Sequence, residues 1–302
     1  MDGPRARARR SACVTSVVIQ GYGAVASVHA RHLKQRGAAQ LIAVCGPNIE
    51  KARKFAEEHG IPAAYTEAPE ADVVIICSPS SMHVRHALEA MRRGSSVLVE
   101  LPPCITHAEA ETLARVSRQW NSRLACAHTS RYLEPYRKVE SALSALGPIR
   151  HVSYVRHLRA RERSWTDDAL LHHAQHPLDL LLKWFGDVRP VGIVCAPASG
   201  CLQEVSLLAE LPGGAPVSID ISYSACLPFS RMTLIAPDGA IATDGFSFLE
   251  SNIDILNWKG DSTETYERAI GDQDTAFLNG DGVHWEETAR LTALVEAFRS
   301  LR

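Results

Sequence analysis

The sequence has no apolar run long enough to cross a bilayer and no marked excess of charge of one sign. Its longest apolar run, residues 73–77, is far shorter than the roughly 20 residues that a transmembrane helix needs. The 32 Lys and Arg residues nearly balance the 34 Asp and Glu residues, so no overall basic field attracts nucleic acid. We therefore expect a small molecule as the partner, and neither a membrane nor nucleic acid.

The cysteines also lack the spacing of a disulfide framework or a zinc site. Eight of them are scattered over 302 residues without a C-x-x-C pair, which predicts buried thiols and a cytoplasmic location. Residues 1–13 are expected to be a disordered basic tail. A twin-arginine export signal at Arg9 and Arg10 is the alternative interpretation.

Residues 14–129 alternate short β-branched runs with helical stretches, which predicts a doubly wound parallel sheet, the Rossmann arrangement. The expected strands are residues 17–20, 41–45, 73–77, 97–100 and 124–128. The first of them ends in the G-x-G-x-x-A turn Gly21-Tyr22-Gly23-Ala24-Val25-Ala26. Because this turn follows a strand and opens a helix, it predicts that Gly21, Gly23, Ala24, Val25 and Ala26 bind NAD or NADP.

The choice between the two dinucleotides stays open. A Rossmann domain usually places an acid for the ribose, or a base for the 2′-phosphate, after its second strand. Residues 45–48 read Cys-Gly-Pro-Asn and carry neither charge.

Residues 130–302 predict a second domain for substrate binding and dimerisation, of the α+β class with an open, mostly antiparallel sheet. Residues 217–224 alternate apolar and polar side chains, as in a sheet with one buried face. Further strands are expected at residues 149–155, 191–195, 205–211, 232–236 and 240–243, and helices at residues 135–146 and 284–300.

Three histidines stand in one segment of this second domain. Thr166 or Asp167 is expected to cap a helix that ends at Gly186. On that helix His172, His173 and His176 would lie together near Asp179. General acid–base catalysis, a zinc site of His172, His176 and Asp179, and purely structural histidines are the three interpretations. The first is preferred, and no metal is expected.

Three further segments, read with the glycine turn, resemble the Gfo/Idh/MocA oxidoreductases over nearly the whole chain. They are residues 77–83 (Cys-Ser-Pro-Ser-Ser-Met-His), residues 99–102 (Val-Glu-Leu-Pro) and residues 163–179. The last segment most resembles the semialdehyde dehydrogenase members of the family. The resemblance implies that Ser78, Pro79, His83, Glu100 and Pro102 border the nicotinamide half of the cofactor. It also implies a homodimer or higher homo-oligomer.

The sequence departs from the family at Leu101, where most members have a catalytic lysine. A leucine cannot carry a proton, so the resemblance moves this role to His176, with His172 or His173 orienting it or meeting the substrate. Arg131, Trp165 and His173 are the implied substrate-binding residues. The arginine run that begins at Arg156 is a second source of positive charge, or else a solvated surface.

We therefore expect an NAD(P)-dependent oxidoreductase that transfers hydride between nicotinamide and a small carbonyl-level substrate, a hemiacetal, semialdehyde or alcohol. Reduction of an imine or ketone in a biosynthetic pathway is one alternative. A catalytically inactive dinucleotide sensor, motivated by Leu101, is the other.

Overall fold

The computed structural model describes residues 14–37, 39–159, 168–197, 201–253 and 256–302. The proposed N-terminal tail, Trp165 and the capping candidates Thr166 and Asp167 lie outside the described residues. The described chain divides into two compact units. Within it, no helix combines the length and hydropathy needed to span a membrane.

Unit 1 is built on a six-stranded, fully parallel sheet in the order β3-β2-β1-β4-β5-β6. Its strands are β1 (Thr15–Gln20), β2 (Ala39–Cys45), β3 (Ala63–Tyr65), β4 (Val73–Ile76), β5 (Ser96–Val99) and β6 (Leu124–Cys126). The predicted doubly wound sheet is confirmed. The short alanine-rich β3 was not predicted, because three residues without a β-branched side chain give no strand signal.

Four helices connect these strands: α1 (Ala24–Arg36), α2 (Ile49–His59), α3 (His83–Arg92) and α4 (His107–Trp120). Capping residues define the ends of α1 and α2. The Asn48 side chain caps α2 by accepting a 3.0 Å hydrogen bond from the Lys51 backbone N–H. Gly37 and Gly60 end α1 and α2 in the left-handed region, at φ 62° and 58°.

Unit 2 contains an eight-stranded sheet in the order β14-β13-β12-β11-β7-β10-β9-β8. The strands are β7 (His151–Arg159), β8 (Arg189–Ala196), β9 (Glu204–Glu210), β10 (Pro216–Ser222), β11 (Ser224–Ala236), β12 (Gly239–Thr243), β13 (Phe248–Ser251) and β14 (Trp258–Lys259). Neighbouring strands are antiparallel except β7 and β10. The prediction of a mostly antiparallel second sheet is thus confirmed.

The remaining helices are α5 (Glu134–Leu146), α6 (Gln175–Phe185), α7 (Ser262–Asn279) and α8 (Trp285–Arg299). The histidine helix begins later than the sequence predicted. Residues 169–174 form turns, and α6 starts only at Gln175. His172 and His173 are therefore not on one helical face with His176. The side chain of Asp168 accepts a 2.6 Å hydrogen bond from the Leu171 N–H and so caps a turn rather than a helix.

The two compact units are not each one continuous stretch of chain. Unit 1 comprises the described residues up to Cys104, Ala108–Ala127 and Ile270–Glu286, whereas unit 2 comprises Ile105–His107, His128–Ala269 and Glu287–Arg302. A late segment thus joins the first unit, while the domain boundary at residue 129 stays a prediction. Arg123 donates a 2.9 Å hydrogen bond to the Phe277 carbonyl, and the Trp285 indole donates one of 2.9 Å to the Ala110 carbonyl.

Candidate active site

The glycine turn of unit 1 has the backbone that a dinucleotide site needs. Gly21 has φ +121°, and a Cβ there would lie 2.5 Å from the carbonyl oxygen of Cys77. Only glycine therefore fits this contact between the ends of β1 and β4. Gly23 immediately precedes α1, and no atom lies within 4 Å of the Cβ position it leaves empty. Free space beside the unpaired N–H groups of a helix start fits a pyrophosphate.

The two turns predicted to border the nicotinamide lie at the ends of β4 and β5. His83 is buried between them, with its Nδ1 2.8 Å from the Pro102 carbonyl oxygen and its Nε2 2.7 Å from the Ser78 carbonyl oxygen. Both ring nitrogens thus contact backbone atoms, and the ring braces the two turns against each other. A contact of the His83 side chain with the cofactor stays a prediction. Pro79 remains partly exposed and stays a candidate.

Ser78 and Glu100 are also engaged within unit 1. The Ser78 hydroxyl lies 2.9 Å from Nδ1 of His86. An oxygen of Glu100 lies 3.0 Å from Nε2 of His29, a fully buried histidine of α1. The Glu100 side chain keeps 17% of its surface exposed, so it can still approach a ligand. Leu101 is 8% exposed and brings no ionisable group to the position of the family's lysine.

His29 forms the centre of a buried polar cluster that the sequence did not indicate. Its Nδ1 lies 2.8 and 2.9 Å from the two carboxylate oxygens of Asp274. Burial alone would lower the pKa of His29, but Asp274 and the Cys77 thiol outweigh it, so the pKa lies well above the ordinary value. Burial raises the pKa of Cys77, and His29 offsets only part of that rise.

In unit 2 the three predicted histidines come together although the helix does not carry them all. The ring centroids of His172 and His173 are 4.4 Å apart, and that of His176 is 6.2 and 6.1 Å from them. The Ser130 hydroxyl lies 3.0 Å from Nδ1 of His176. The Tyr223 hydroxyl lies 2.6 Å from Nδ1 of His173. Each of these two imidazoles is therefore oriented through its Nδ1, which leaves Nε2 for a reacting group.

Burial and neighbouring side chains keep His173 and His176 neutral. Burial, His172 and Arg156, in that order, lower the pKa of His176 to about 3. Burial, His172, Arg156 and His176 lower the pKa of His173 well below its ordinary value. A neutral imidazole can accept a proton, although a lowered pKa makes it a weaker base. At neutral pH these two rings can therefore accept a proton but not donate one as imidazolium, and each is a weaker base than a free imidazole.

Arg131, the predicted substrate-binding arginine, contacts carboxylates of its own unit. Its Nε and one terminal nitrogen are 2.8 and 2.6 Å from the two oxygens of Asp179, and the other terminal nitrogen is 2.6 Å from Glu287. The side chain is only 7% exposed. Two carboxylates therefore occupy the guanidinium that was expected to hold a substrate carboxylate. The pKa of Asp179 lies well below its ordinary value because His128 and Arg131 outweigh the effect of burial.

The zinc interpretation loses one of its proposed ligands by the same contacts, since both Asp179 oxygens bond to Arg131. In the part of the chain that the structure describes, no group of three or more His, Cys, Asp and Glu side chains is placed to hold a metal ion.

Sequence reasoning missed Tyr223 and Ser130 as partners of the histidines. Tyr223 is 50 residues from His173. It lies at the end of a segment in which apolar and polar residues alternate, and this pattern predicts only that its side chain is buried. Ser130 directly precedes Arg131 in a short 3-10 turn. Neither position carries a sequence signal for its contact, because both contacts depend on tertiary packing.

Comparison with known proteins identifies relatives of both units. Residues 15–128 match a family model described as an oxidoreductase family with an NAD-binding Rossmann fold, GFO_IDH_MocA. The chain is 25% identical over 226 residues to 4-carboxy-2-hydroxymuconate-6-semialdehyde dehydrogenase of a Sphingobium species, an alignment that covers 69% of this chain and 72% of the relative.

Two solved structures share the fold over almost the whole chain. UDP-N-acetylglucosamine 3-dehydrogenase from Acidithiobacillus ferrooxidans has a TM-score of 0.81 at 23% identity and covers 95% of this chain and 97% of its own. An oxidoreductase from Agrobacterium radiobacter, in complex with NAD+, L-tartaric acid and magnesium, has a TM-score of 0.83 at 16% identity, with coverage of 95% and 96%.

Proposed function

We propose that the chain is an oxidoreductase that oxidises a hemiacetal, semialdehyde hydrate or alcohol. The premise is that residues 15–128 match the NAD-binding Rossmann fold of the Gfo/Idh/MocA oxidoreductase family. NAD(P), when bound, accepts the hydride. The glycine turn supports this proposal, because its free space at Gly23 and the start of α1 suit the pyrophosphate. Ala24, Val25, Ala26 and Pro79 complete the proposed cofactor contacts.

His176 is the proposed proton acceptor for the substrate hydroxyl. The observation that carries this role is the 3.0 Å contact between its Nδ1 and the Ser130 hydroxyl. If Nδ1–H donates a hydrogen bond to the Ser130 hydroxyl, Nε2 carries a lone pair that can accept a proton. His173, held by Tyr223, and His172 are proposed to contact the substrate beside it. Trp165, outside the described residues, remains a proposed substrate contact on the family resemblance.

Replacing His176 by alanine tests this assignment. We expect the rate of the chemical step to fall by about 10²-fold or more, because the base is lost, while NAD(P) binding stays intact. The measurement is nicotinamide absorbance at saturating cofactor with a panel of lactols, aldehyde hydrates and secondary alcohols. Ser130→Ala should cause a smaller loss, since it removes only the orienting hydroxyl.

Two outcomes would contradict the proposal in different ways. Unchanged turnover by His176→Ala would reject His176 as the base. Tight NAD(P) binding without hydride exchange on any member of the panel would favour the dinucleotide sensor, which the buried Leu101 motivates. Reduction of cyclic imines without oxidation of lactols would favour the reductase alternative.

We also propose that the chain forms a homodimer through the open face of the unit 2 sheet. Four apolar side chains are exposed there: Val194 on β8, Leu208 on β9, and Phe229 and Ile235 on β11. Exposed apolar groups collected on one sheet face are typical of a protein contact. A cytoplasmic location is proposed as well, because each described cysteine is a thiol rather than half of a disulfide.

A further inference from the structure

Among the residues that the structure describes, Arg156 forms no ion pair with a carboxylate. It lies on β7 opposite Ile221 of β10 and Ser230 of β11. Its Nε is buried and has no hydrogen-bond partner, while the residue as a whole keeps part of its surface exposed. The phenols of Tyr154, Tyr136 and Tyr223 favour its charge, and the Tyr154 side chain also forms a hydrogen bond with it.

Arg131 differs from Arg156 in this respect. Arg131 sits in the same unit and binds two carboxylates, those of Asp179 and Glu287. Burying a cation without an anionic partner is costly, and buried arginines are normally paired. A largely buried guanidinium that lacks its anion has the properties of a binding site for one, because its planar donor set matches a carboxylate.

The position of Arg156 connects it to the histidine cluster. Its charge acts on both His173 and His176, and it is among the causes that lower the pKa of each. The Tyr223 phenol, which contacts His173, also favours the charge of Arg156. The Arg156 guanidinium carbon lies 5.4 Å from the centre of the Phe246 ring, so an aromatic face helps to fix its orientation.

We propose that Arg156 binds a carboxylate of the substrate, and hence that the substrate class is a carboxylate-bearing alcohol, lactol or aldehyde hydrate. This inference rests on the proposed function, since it names the substrate class of the same site. It assigns to Arg156 the role that the resemblance implied for Arg131, which is to bind a carboxylate of the substrate.

Anion binding would also prepare the proton acceptor. His176 faces His172, Arg156, Asp179 and His128. Of these groups, only Arg156 is a permanent cation. A carboxylate bound to Arg156 cancels its repulsion of a proton on His176, so the pKa of His176 rises toward its ordinary value when substrate is present. The base therefore becomes stronger only with an anionic substrate in place, which disfavours neutral alcohols.

Calorimetric titration of the NAD-saturated protein tests the anchor directly. The probes are glycolate, malonate and benzoate, each compared with its neutral amide, and inorganic phosphate as a tetrahedral anion. We expect at least one carboxylate to bind at least 10-fold more tightly than its amide and than phosphate. Arg156→Met should weaken that carboxylate at least 10-fold, and Arg156→Lys should weaken it less.

Arg137→Met is the matched control. Arg137 is an exposed arginine of unit 2 whose guanidinium also lies over an aromatic ring, 5.3 Å from the centre of Tyr132. It should leave carboxylate binding unchanged. The proposal is overturned if no carboxylate binds the wild type, if the amides or phosphate bind equally well, or if Arg156→Met retains carboxylate binding.

Thermal unfolding of the ligand-free protein separates an anion anchor from a structural arginine. Removing an unpaired, largely buried cation should raise the Tm of Arg156→Met by about 2–4 °C, whereas a lower Tm would assign Arg156 a structural role and overturn the proposal. Both measurements are independent of turnover. Failure of hydride transfer would therefore reject the proposed function while leaving the anion site intact, and loss of the anion site alone would leave the oxidoreductase assignment unaffected.

Discussion

Gly21 and Gly23 belong to one turn but differ in what an added methyl group would meet. At Gly21 it would collide with the backbone of Cys77 at 2.5 Å and force an unfavourable φ of +121°. Gly21→Ala should therefore lower the free energy of unfolding by about 1–3 kcal/mol or more. Gly23 has an ordinary φ of −87° and open space, so Gly23→Ala should leave the fold intact and weaken NAD(P) binding.

Urea unfolding and cofactor titration of both variants provide the measurement. Equal stability of Gly21→Ala and the wild type would contradict the contact with Cys77. Unchanged NAD(P) affinity in Gly23→Ala would show that the pyrophosphate does not approach there, and would remove the main structural support for the cofactor site.

At the scale of single residues, the sequence predicts backbone geometry better than side-chain partners. The turn at Gly21 and Gly23 follows from a short motif, whose geometry is local. The partners of His83 and Arg131 were not predicted because they come from other segments. His83 is held by carbonyls at residues 78 and 102, and Arg131 by acids at 179 and 287, pairings that no local pattern encodes.

At the scale of elements, His29 of helix α1 makes the free energy of unfolding depend on pH. The pKa of this buried histidine lies well above its ordinary value of 6.5, so its protonated form is preferentially bound by the fold. That stabilisation is fully present below about pH 6.5 and is lost as the pH rises through the folded-state pKa. The difference in unfolding free energy between wild type and His29→Gln should therefore shrink with rising pH.

The slope of this difference can reach at most about 1.4 kcal/mol per pH unit, and urea unfolding across a pH series measures it. Asp274→Asn should flatten the slope as well, since Asp274 supplies the opposing charge. A constant difference between wild type and His29→Gln from acid to alkaline pH would mean that folding does not shift the pKa of His29.

The element that the sequence misjudged most is α6. Residues 166–185 were expected to form one helix, but the structure has turns over residues 169–174 and a helix only from Gln175. Ala169 instead donates a 2.8 Å backbone hydrogen bond to the Leu202 carbonyl oxygen, a contact across 33 residues. A helical pattern with good periodicity can thus be overridden by distant backbone bonding. The histidines still converge, because a turn can also bring neighbouring side chains together.

At the scale of the whole molecule, the proposed dimer gives a direct prediction. The double variant Val194→Asp and Leu208→Asp places two charges on exposed apolar positions of neighbouring strands. We expect it to weaken self-association at least 10-fold, because desolvating a charge at a contact is costly. Analytical ultracentrifugation over a concentration series measures this. Val14→Asp, at an exposed apolar residue of unit 1, is the control and should not change the mass.

The sequence predicted the class of both sheets but not the division of the chain between the units. Alternation of strands and helices identifies a parallel sheet from local periodicity. The return of Ile270–Glu286 to unit 1 has no such signature, since it depends on pairs such as His29 with Asp274, which are 245 residues apart. Contacts between residues so far apart depend on which buried polar groups need a hydrogen-bond partner. They can be identified only from the three-dimensional structure.

That late return also governs how the polypeptide matures during synthesis. His29 is added to the growing chain on the order of 10–50 s before Asp274, at about 5–20 residues per second over their separation of 245 residues. Unit 1 is therefore the first to begin translation, but it is completed only after most of unit 2 has been made. A nascent chain that stalls before its final segment exposes an unfinished module to chaperones and proteases, whatever the state of the later sheet.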